Sequence, residues 1–370
     1  MSEATAAVLT GPRKFELRNF PLPEVGPDDG LLRMETNGLC GSDYDQYECK
    51  MKLQAFGKLP IIPGHEMVGW IERVGAQAAK RWNVREGDRV CVKAGLPCGA
   101  CRQCVMGAGQ RCELSMAYGF FQTTDVTPSL WGGYATHMYL HPNSQMMLAP
   151  TNIPGDVMTL FNPLSGAVRW VYEVPQLRMA EHVVILGPGQ RGILAAVAAK
   201  QAGAKTVTVT GTDRDRHRLQ VAKQLGADAV VDVTCEDLTE TVQRVTNGEM
   251  ADLVLDVTAG ATEPILQAID VARPGARIVL AGTKNGKPLS GLITDLIVFR
   301  ELRLMGVYTS TQSSLEIALE ILKKRHQDLA VMCSHVYPLE SADKAVRVLG
   351  RELDDGRDVI HVNLNMMGAV

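Results

Sequence analysis

From His182 onward the chain repeats one pattern, and that pattern limits its fold more than any other feature. Apolar runs HVVIL (182–186), TVTVT (206–210), AVVD (229–232), DLVLD (252–256) and RIVLA (277–281) alternate with amphipathic, helix-like segments near 190–202, 214–225, 237–246 and 262–273. Short runs that are apolar on both faces, each followed by a helical crossover, predict a doubly wound parallel sheet of the α/β class. The first run enters Gly187-Pro188-Gly189-Gln190-Arg191-Gly192 and then ILAAVAAKQAG. A G-x-G-x-x-G that follows a strand and opens a helix brings backbone N–H groups and a helix N-terminus to a pyrophosphate. Glycines often serve only as a tight turn, but the strand before, the helix after and the four further runs favour a dinucleotide site.

The choice of dinucleotide is less sharply written. The acid that reads a ribose hydroxyl belongs at the end of the second strand, where this chain has Gly211, then Thr212, Asp213 and Arg214. Asp213 offers an acceptor for a 2′-hydroxyl, while Arg214 and Arg216 offer a clamp for a 2′-phosphate. The reading leans slightly toward NAD over NADP, and a solvated loop that selects neither is the bland alternative.

The chain has 370 residues, 46% hydrophobic content and 35 glycines, enough for two domains with ample cores. A net charge of −3 gives no basic footprint for nucleic acid or an anionic membrane. The start, MSEATAAVLTGPRK, lacks the pattern of a secretory signal, and no stretch approaches eighteen uninterrupted apolar residues, so a soluble cytoplasmic protein is expected. Nine cysteines, an odd number in a chain this long, argue for reduced thiols and metal ligands over a disulfide framework. Up to about residue 160 the texture is that of short strands, turns and loops punctuated by Pro21, Pro23, Pro27 and glycine clusters, which predicts a mostly β lobe. Beyond 308, SSLEIALEILKKRH and LESADKAVRVLG read as helices before a strand-like DVIHVNLN.

Two constellations in the first lobe carry metal-ligand chemistry. Cys98, Cys101, Cys104 and Cys112 form a C-x2-C-x2-C-x7-C run, the spacing of a closed tetrahedral zinc site with a structural role. Cys40 in GLCGSD and His65-Glu66 in PGHEMVG supply one thiolate, one imidazole and one carboxylate. Three protein ligands leave one position open, as catalytic zinc requires.

GLCGSD, PGHEMVGWIERVG, EGDRV, the cysteine quartet, WGGYATH, GPGQRG and LGAD follow one another in an order that resembles the zinc-dependent medium-chain dehydrogenases, the superfamily of alcohol, polyol and threonine dehydrogenases. That resemblance spans essentially the whole chain. It implies a GroES-like, mostly β catalytic domain over 1–162 and 309–370, and a Rossmann nucleotide-binding domain over 163–308. It further implies two Zn2+ per chain, a nicotinamide dinucleotide and a small-molecule alcohol or carbonyl substrate, while the charge balance gives the expectation of no nucleic-acid or membrane partner. By the same resemblance Cys40, His65 and Glu66 are catalytic-zinc ligands, Asp43 orients the ligand imidazole, Ser42 takes the substrate proton, and the quartet holds the structural zinc. The segment GLITDLIVFRELRLMGVYTS resembles the one that joins subunits edge to edge, so a homodimer or homotetramer is expected.

The chain departs from the family pattern at two places. Many relatives have an acid or cysteine before a proline near the domain junction, where this chain has Asn162. A neutral amide is a poor zinc ligand, which leaves Glu66 or water to complete the shell, and Asn162 either to bind that water or the substrate or merely to cap a helix. A relay histidine is also replaced, by Asp45, which either carries the proton onward or is a solvated loop residue. Tyr44, Tyr47, Phe121 and Trp131 are candidate pocket walls or, equally, ordinary core, and Arg169 is a candidate anion contact or, more readily, a surface salt bridge. The expected activity is reversible hydride transfer between a secondary, aromatic or polyol alcohol and NAD(P). A zinc-independent quinone or enoyl reductase on the same fold, and a catalytically silent nucleotide-binding protein, are the alternatives.

Overall fold

A computed structural model describes residues 3–50, 58–114, 116–354 and 356–368. The chain divides into two compact units, residues 1–162 with 322–370, and residues 163–321. The second crossing lies between Ile321 and Leu322, within the helix Gln312–Leu329, whereas the sequence reading drew it at 308/309.

The second unit is built on six parallel strands: His182–Leu186, Thr206–Gly211, Ala229–Asp232, Ala251–Asp256, Ala272–Leu280 and Arg303–Gly306. Counted along the chain, they lie in the spatial order third, second, first, fourth, fifth, sixth. This is the doubly wound order whose switch point falls beside the first strand, and dinucleotides bind at its carboxyl edge. The helices Gln190–Gln201, Arg216–Gln224, Leu238–Val245 and Glu263–Val271 make the crossovers. Val183, Val184, Ile185 and Leu186 are all buried, as a strand covered on both faces must be. The sixth strand is an addition to the sequence reading.

The first unit is mostly β. Its seven-stranded sheet centres on the antiparallel pair Gly30–Leu39 and Glu66–Val74. The strand His361–Asn365, from the end of the chain, pairs antiparallel with Gly30–Leu39. The C-terminal segment thus closes this unit through backbone hydrogen bonds. Leu32, Met34, Met67, Ile71, Val90, Val92, Trp131 and Met138 pack into one apolar core under the sheet. No helix among the described residues is long and apolar enough to cross a membrane.

Candidate active site and metal centres

Strand register brings the sparse ligand set together. Gly38 pairs with Glu66 across the central antiparallel ladder, so Cys40, just past the end of one strand, arrives beside His65, just before the start of the other. A Cβ on Gly38 would lie 2.4 Å from the Glu66 carboxylate and 2.8 Å from the His361 ring, so any side chain there would displace one of them. Cys40, His65 and Glu66 are all buried, and their ligating atoms lie within 4.8 Å of one another.

The short helix Gly41–Tyr47 starts at Cys40, whose backbone N–H donates to Asp43 Oδ2 at 2.8 Å. A carboxylate reaching back from the third helical residue fixes the first turn. The other oxygen, Asp43 Oδ1, stands 3.5 Å from His65 Nδ1. Ser42 Oγ lies 3.4 Å from His65 Nε2, on the opposite edge of the ring. Asn162 Nδ2 donates to the His65 carbonyl at 2.7 Å, so the amide nitrogen is committed to holding the ligand loop. Asp45 sits in the same helix, half-buried, where burial and the charge of Cys40 raise its pKa.

The electrostatics suit a cation. Burial pushes the His65 pKa down, but Asp43 and Cys40 together outweigh it and hold the imidazole well above its ordinary value. The buried Tyr134 phenol is pushed far up, first by desolvation and then by the charges of Asp43, Glu66 and Cys40. Several anionic groups converging in a dry pocket are costly unless a positive charge accompanies them. A thiolate, an imidazole and a carboxylate are also a donor set that zinc accepts. The residues present therefore fit such an ion.

The quartet has a different character. Its four sulfurs also lie within 4.8 Å of one another, but only Cys112 is buried. Cys98 and Cys104 approach to 3.9 Å through sulfur, close to the edge of about 3.8 Å for a tetrahedron with Zn–S bonds of about 2.3 Å. Backbone N–H groups point at the sulfurs, from Cys101 to Cys98 at 3.2 Å and from Cys98 to Cys112 at 3.3 Å. Such donors favour thiolates: those of Glu113 and Cys104 draw the Cys101 thiol down to about 6, whereas burial pushes the Cys104 thiol up to about 12. All four cysteines are free of disulfides.

In the second unit each glycine of the turn has its own task. Gly187 has φ +106°, which makes the tight turn. Gly189 has open space where a Cβ would be, so a ligand can reach the backbone. A Cβ on Gly192 would fall 1.8 Å from the Gly187 carbonyl, so its absence lets the helix pack on the strand end. Gln190 opens the helix, and the Arg191 guanidinium lies over the Trp170 ring at 5.0 Å. At Gly211 a Cβ would meet Pro188 at 2.8 Å. Thr212 caps the following turn through Asp215, whose Oδ2 accepts both its N–H and its hydroxyl, while Asp213 and Arg214 are exposed.

Of the readings open for these side chains, the structure shows core packing and ion pairing. Trp131 is core, packed edge-on against Tyr139, and Tyr47 is buried with its hydroxyl donating to Asp343. Tyr44 reaches Glu352 at 2.6 Å. Arg169 is buried and pairs with Glu173 at 3.7 Å within a π-helical turn. One aromatic that the sequence did not single out, Phe120, lies with its ring centroid 4.7 Å from that of His65.

Residues 26–151 match the family model described as alcohol dehydrogenase GroES-like domain, and residues 192–324 match zinc-binding dehydrogenase. The chain is 40% identical over 354 residues to a protein of Mycobacterium tuberculosis named probable alcohol dehydrogenase, covering 94% of this chain and 95% of that one. It is 30% identical over 294 residues to an L-threonine 3-dehydrogenase of Rhizobium johnstonii, 79% of each chain. The crystal structure of an alcohol dehydrogenase from Thermotoga maritima superposes with a TM-score of 0.87 at 24% identity, over 99% of this chain and 100% of that one. On the strength of the 40% relative and the two matched domains, the chain belongs to the zinc-dependent medium-chain dehydrogenase superfamily of oxidoreductases.

Proposed function

We propose that this protein is an NAD(P)-dependent zinc alcohol dehydrogenase that interconverts a secondary, aromatic or polyol alcohol and its carbonyl. The observation that carries the reading is the convergence of buried Cys40, His65 and Glu66, with Asp43 behind the imidazole and Ser42 at its other edge. When bound, zinc would supply Lewis acidity that makes an alcohol lose its proton near neutrality, and a nicotinamide would accept the hydride.

The chain's own residues do the rest. Cys40, His65 and Glu66 hold the ion, and Asp43 keeps the imidazole in one orientation and tautomer. Asn162 anchors the loop that carries His65. Ser42 Oγ receives the substrate proton, as a positioned hydroxyl can, and Asp45 in the same helix is the candidate to pass it on. Residues 1–162 with the C-terminal segment form the catalytic unit, and 163–321 hold the dinucleotide at Gly187, Gly189, Gln190, Arg191 and Gly192. Gly211, Thr212, Asp213 and Arg214 face the adenosine ribose, with NAD slightly favoured. The quartet binds a second, structural zinc.

Ile293, Val298 and Phe299 are exposed next to the edge strand Arg303–Gly306, which supports a homodimer or homotetramer joined there.

The test is a panel of alcohols and ketones with NAD and NADP, followed by nicotinamide absorbance, together with metal analysis. Turnover with one nucleotide and two zinc per chain is the expected result; two zinc with no turnover on any alcohol would sink it.

A further inference from the structure

The loop that carries Phe120 is held in place from several sides. Tyr118, two residues earlier, is buried, donates its N–H to the Ala94 carbonyl at 2.9 Å and shares its hydroxyl with Ser144 at 2.7 Å. Gly119 has φ +76°, and a Cβ on it would lie 2.5 Å from the Gly64 carbonyl. Only glycine allows this backbone to rest on the residue that precedes His65. The Gly119 N–H donates to the Trp131 carbonyl at 2.7 Å, and its own carbonyl accepts from buried Gln46 Nε2 at 2.8 Å. The corner so fixed swings the half-buried Phe120 ring against the imidazole, at 4.7 Å and tilted by 43°. Phe121 follows, with its centroid 6.4 Å from that of Phe120.

We propose that Phe120 is a specificity-determining residue that walls the reacting carbon on the imidazole side and selects alcohols bearing an aryl or alkyl group over polyols and amino-acid alcohols. This rests on the dehydrogenase reading above. An aryl or alkyl substituent laid against the ring gains apolar and edge-to-face contact. A hydroxyl or carboxylate in the same place gives up water and meets carbon in return. A substrate ammonium would be attracted to the ring face, so the discrimination falls on hydroxyl and carboxylate groups.

The competing account is that the ring only braces His65. A brace acts on every substrate alike and on zinc retention, whereas a pocket wall changes the ratio between substrates. The experiment compares kcat/KM for benzyl alcohol, 2,3-butanediol and L-threonine in the wild type, Phe120→Ala, Phe120→Leu and Phe120→Tyr, with zinc content and calorimetric binding of benzyl alcohol to the zinc-loaded protein. The wild type is expected to prefer benzyl alcohol. Phe120→Ala should lower the benzyl alcohol to butanediol ratio by about thirtyfold with zinc retained, within the range that one hydrophobic contact commands. Phe120→Leu should recover part of the ratio, and Phe120→Tyr should keep it. A preference for butanediol or threonine in the wild type, equal losses on all substrates, or zinc loss at a constant ratio would overturn the proposal. If the wild type oxidises none of the three, the proposal is decided by binding alone, and the dehydrogenase reading falls only when the wider alcohol and ketone panel is silent as well. Weaker benzyl alcohol binding in Phe120→Ala than in the wild type supports it; equal or undetectable binding in both overturns it.

Discussion

The two clusters of candidate metal ligands set similar atoms in opposite surroundings. The quartet lies within fifteen consecutive residues, mostly at the surface, with local backbone N–H groups directed at its sulfurs. The Cys40, His65 and Glu66 set joins two strands, is fully buried, and is surrounded by Asp43, Ser42, Asn162 and Phe120. Four thiolates complete a tetrahedron and leave no place for a substrate, whereas three mixed ligands do leave one. A local cluster braces a loop; a non-local one can do chemistry, because its neighbours come from elsewhere in the fold.

That contrast can be broken by mutation. The largest effect is expected from Cys40→Ala or His65→Ala, which should abolish turnover and lower zinc from two to one per chain while nucleotide binding, followed by fluorescence, persists. Unchanged turnover in either variant would end the catalytic assignment. Asp43→Asn removes the charge behind His65 and should cost about ten- to a hundredfold in metal affinity or kcat. Competition with a chelator measures the first and steady-state kinetics the second. In Cys101→Ser the damage should be to stability, because metal binding at such a site is folding free energy. Limited proteolysis should then cut near residues 98–112 first, and the folded fraction should keep its catalytic-site zinc. Loss of that zinc with the loop intact would reverse the roles of the clusters. Asn162→Ala deletes one hydrogen bond to the His65 carbonyl, worth about 1 kcal/mol, and should weaken zinc binding roughly fivefold.

Much of the second unit was legible because its strands are locally coded. HVVIL coincides with the strand His182–Leu186, since an uninterrupted apolar run must be covered on both faces, and AVVD coincides with the edge strand Ala229–Asp232, where only Val231 is buried. The fifth strand begins at Ala272, earlier than its apolar run, because the pairing made at Ala272 lapses across Pro274 and Gly275 and resumes in a shifted register at Arg277. The sixth, Arg303–Gly306, stands at the sheet edge, largely exposed, and so has no buried-strand pattern. The ligand types were readable from GLCGSD, GHE and the quartet. Phe120 was not, because nothing in its neighbours' identities says that Gly119 packs on Gly64. Trp131 and Tyr47 were open to pocket or core and lie in the core, since an aromatic residue's type does not tell which surface it meets.

The order of residues was enough to establish the superfamily, the doubly wound sheet and the kinds of metal ligand available, because each depends on spacing within a few turns or strands. Other features follow only from the folded chain: the pairing of Gly38 with Glu66 that brings Cys40 to His65, the engagement of Asn162 with the His65 carbonyl, the capture of Asp215 by Thr212, and the placement of Phe120 over the imidazole. The Thr212 cap is local, yet which of several nearby acids makes it depends on backbone geometry. The others join segments far apart in the chain, and their contacts depend on register and close packing that no single segment encodes.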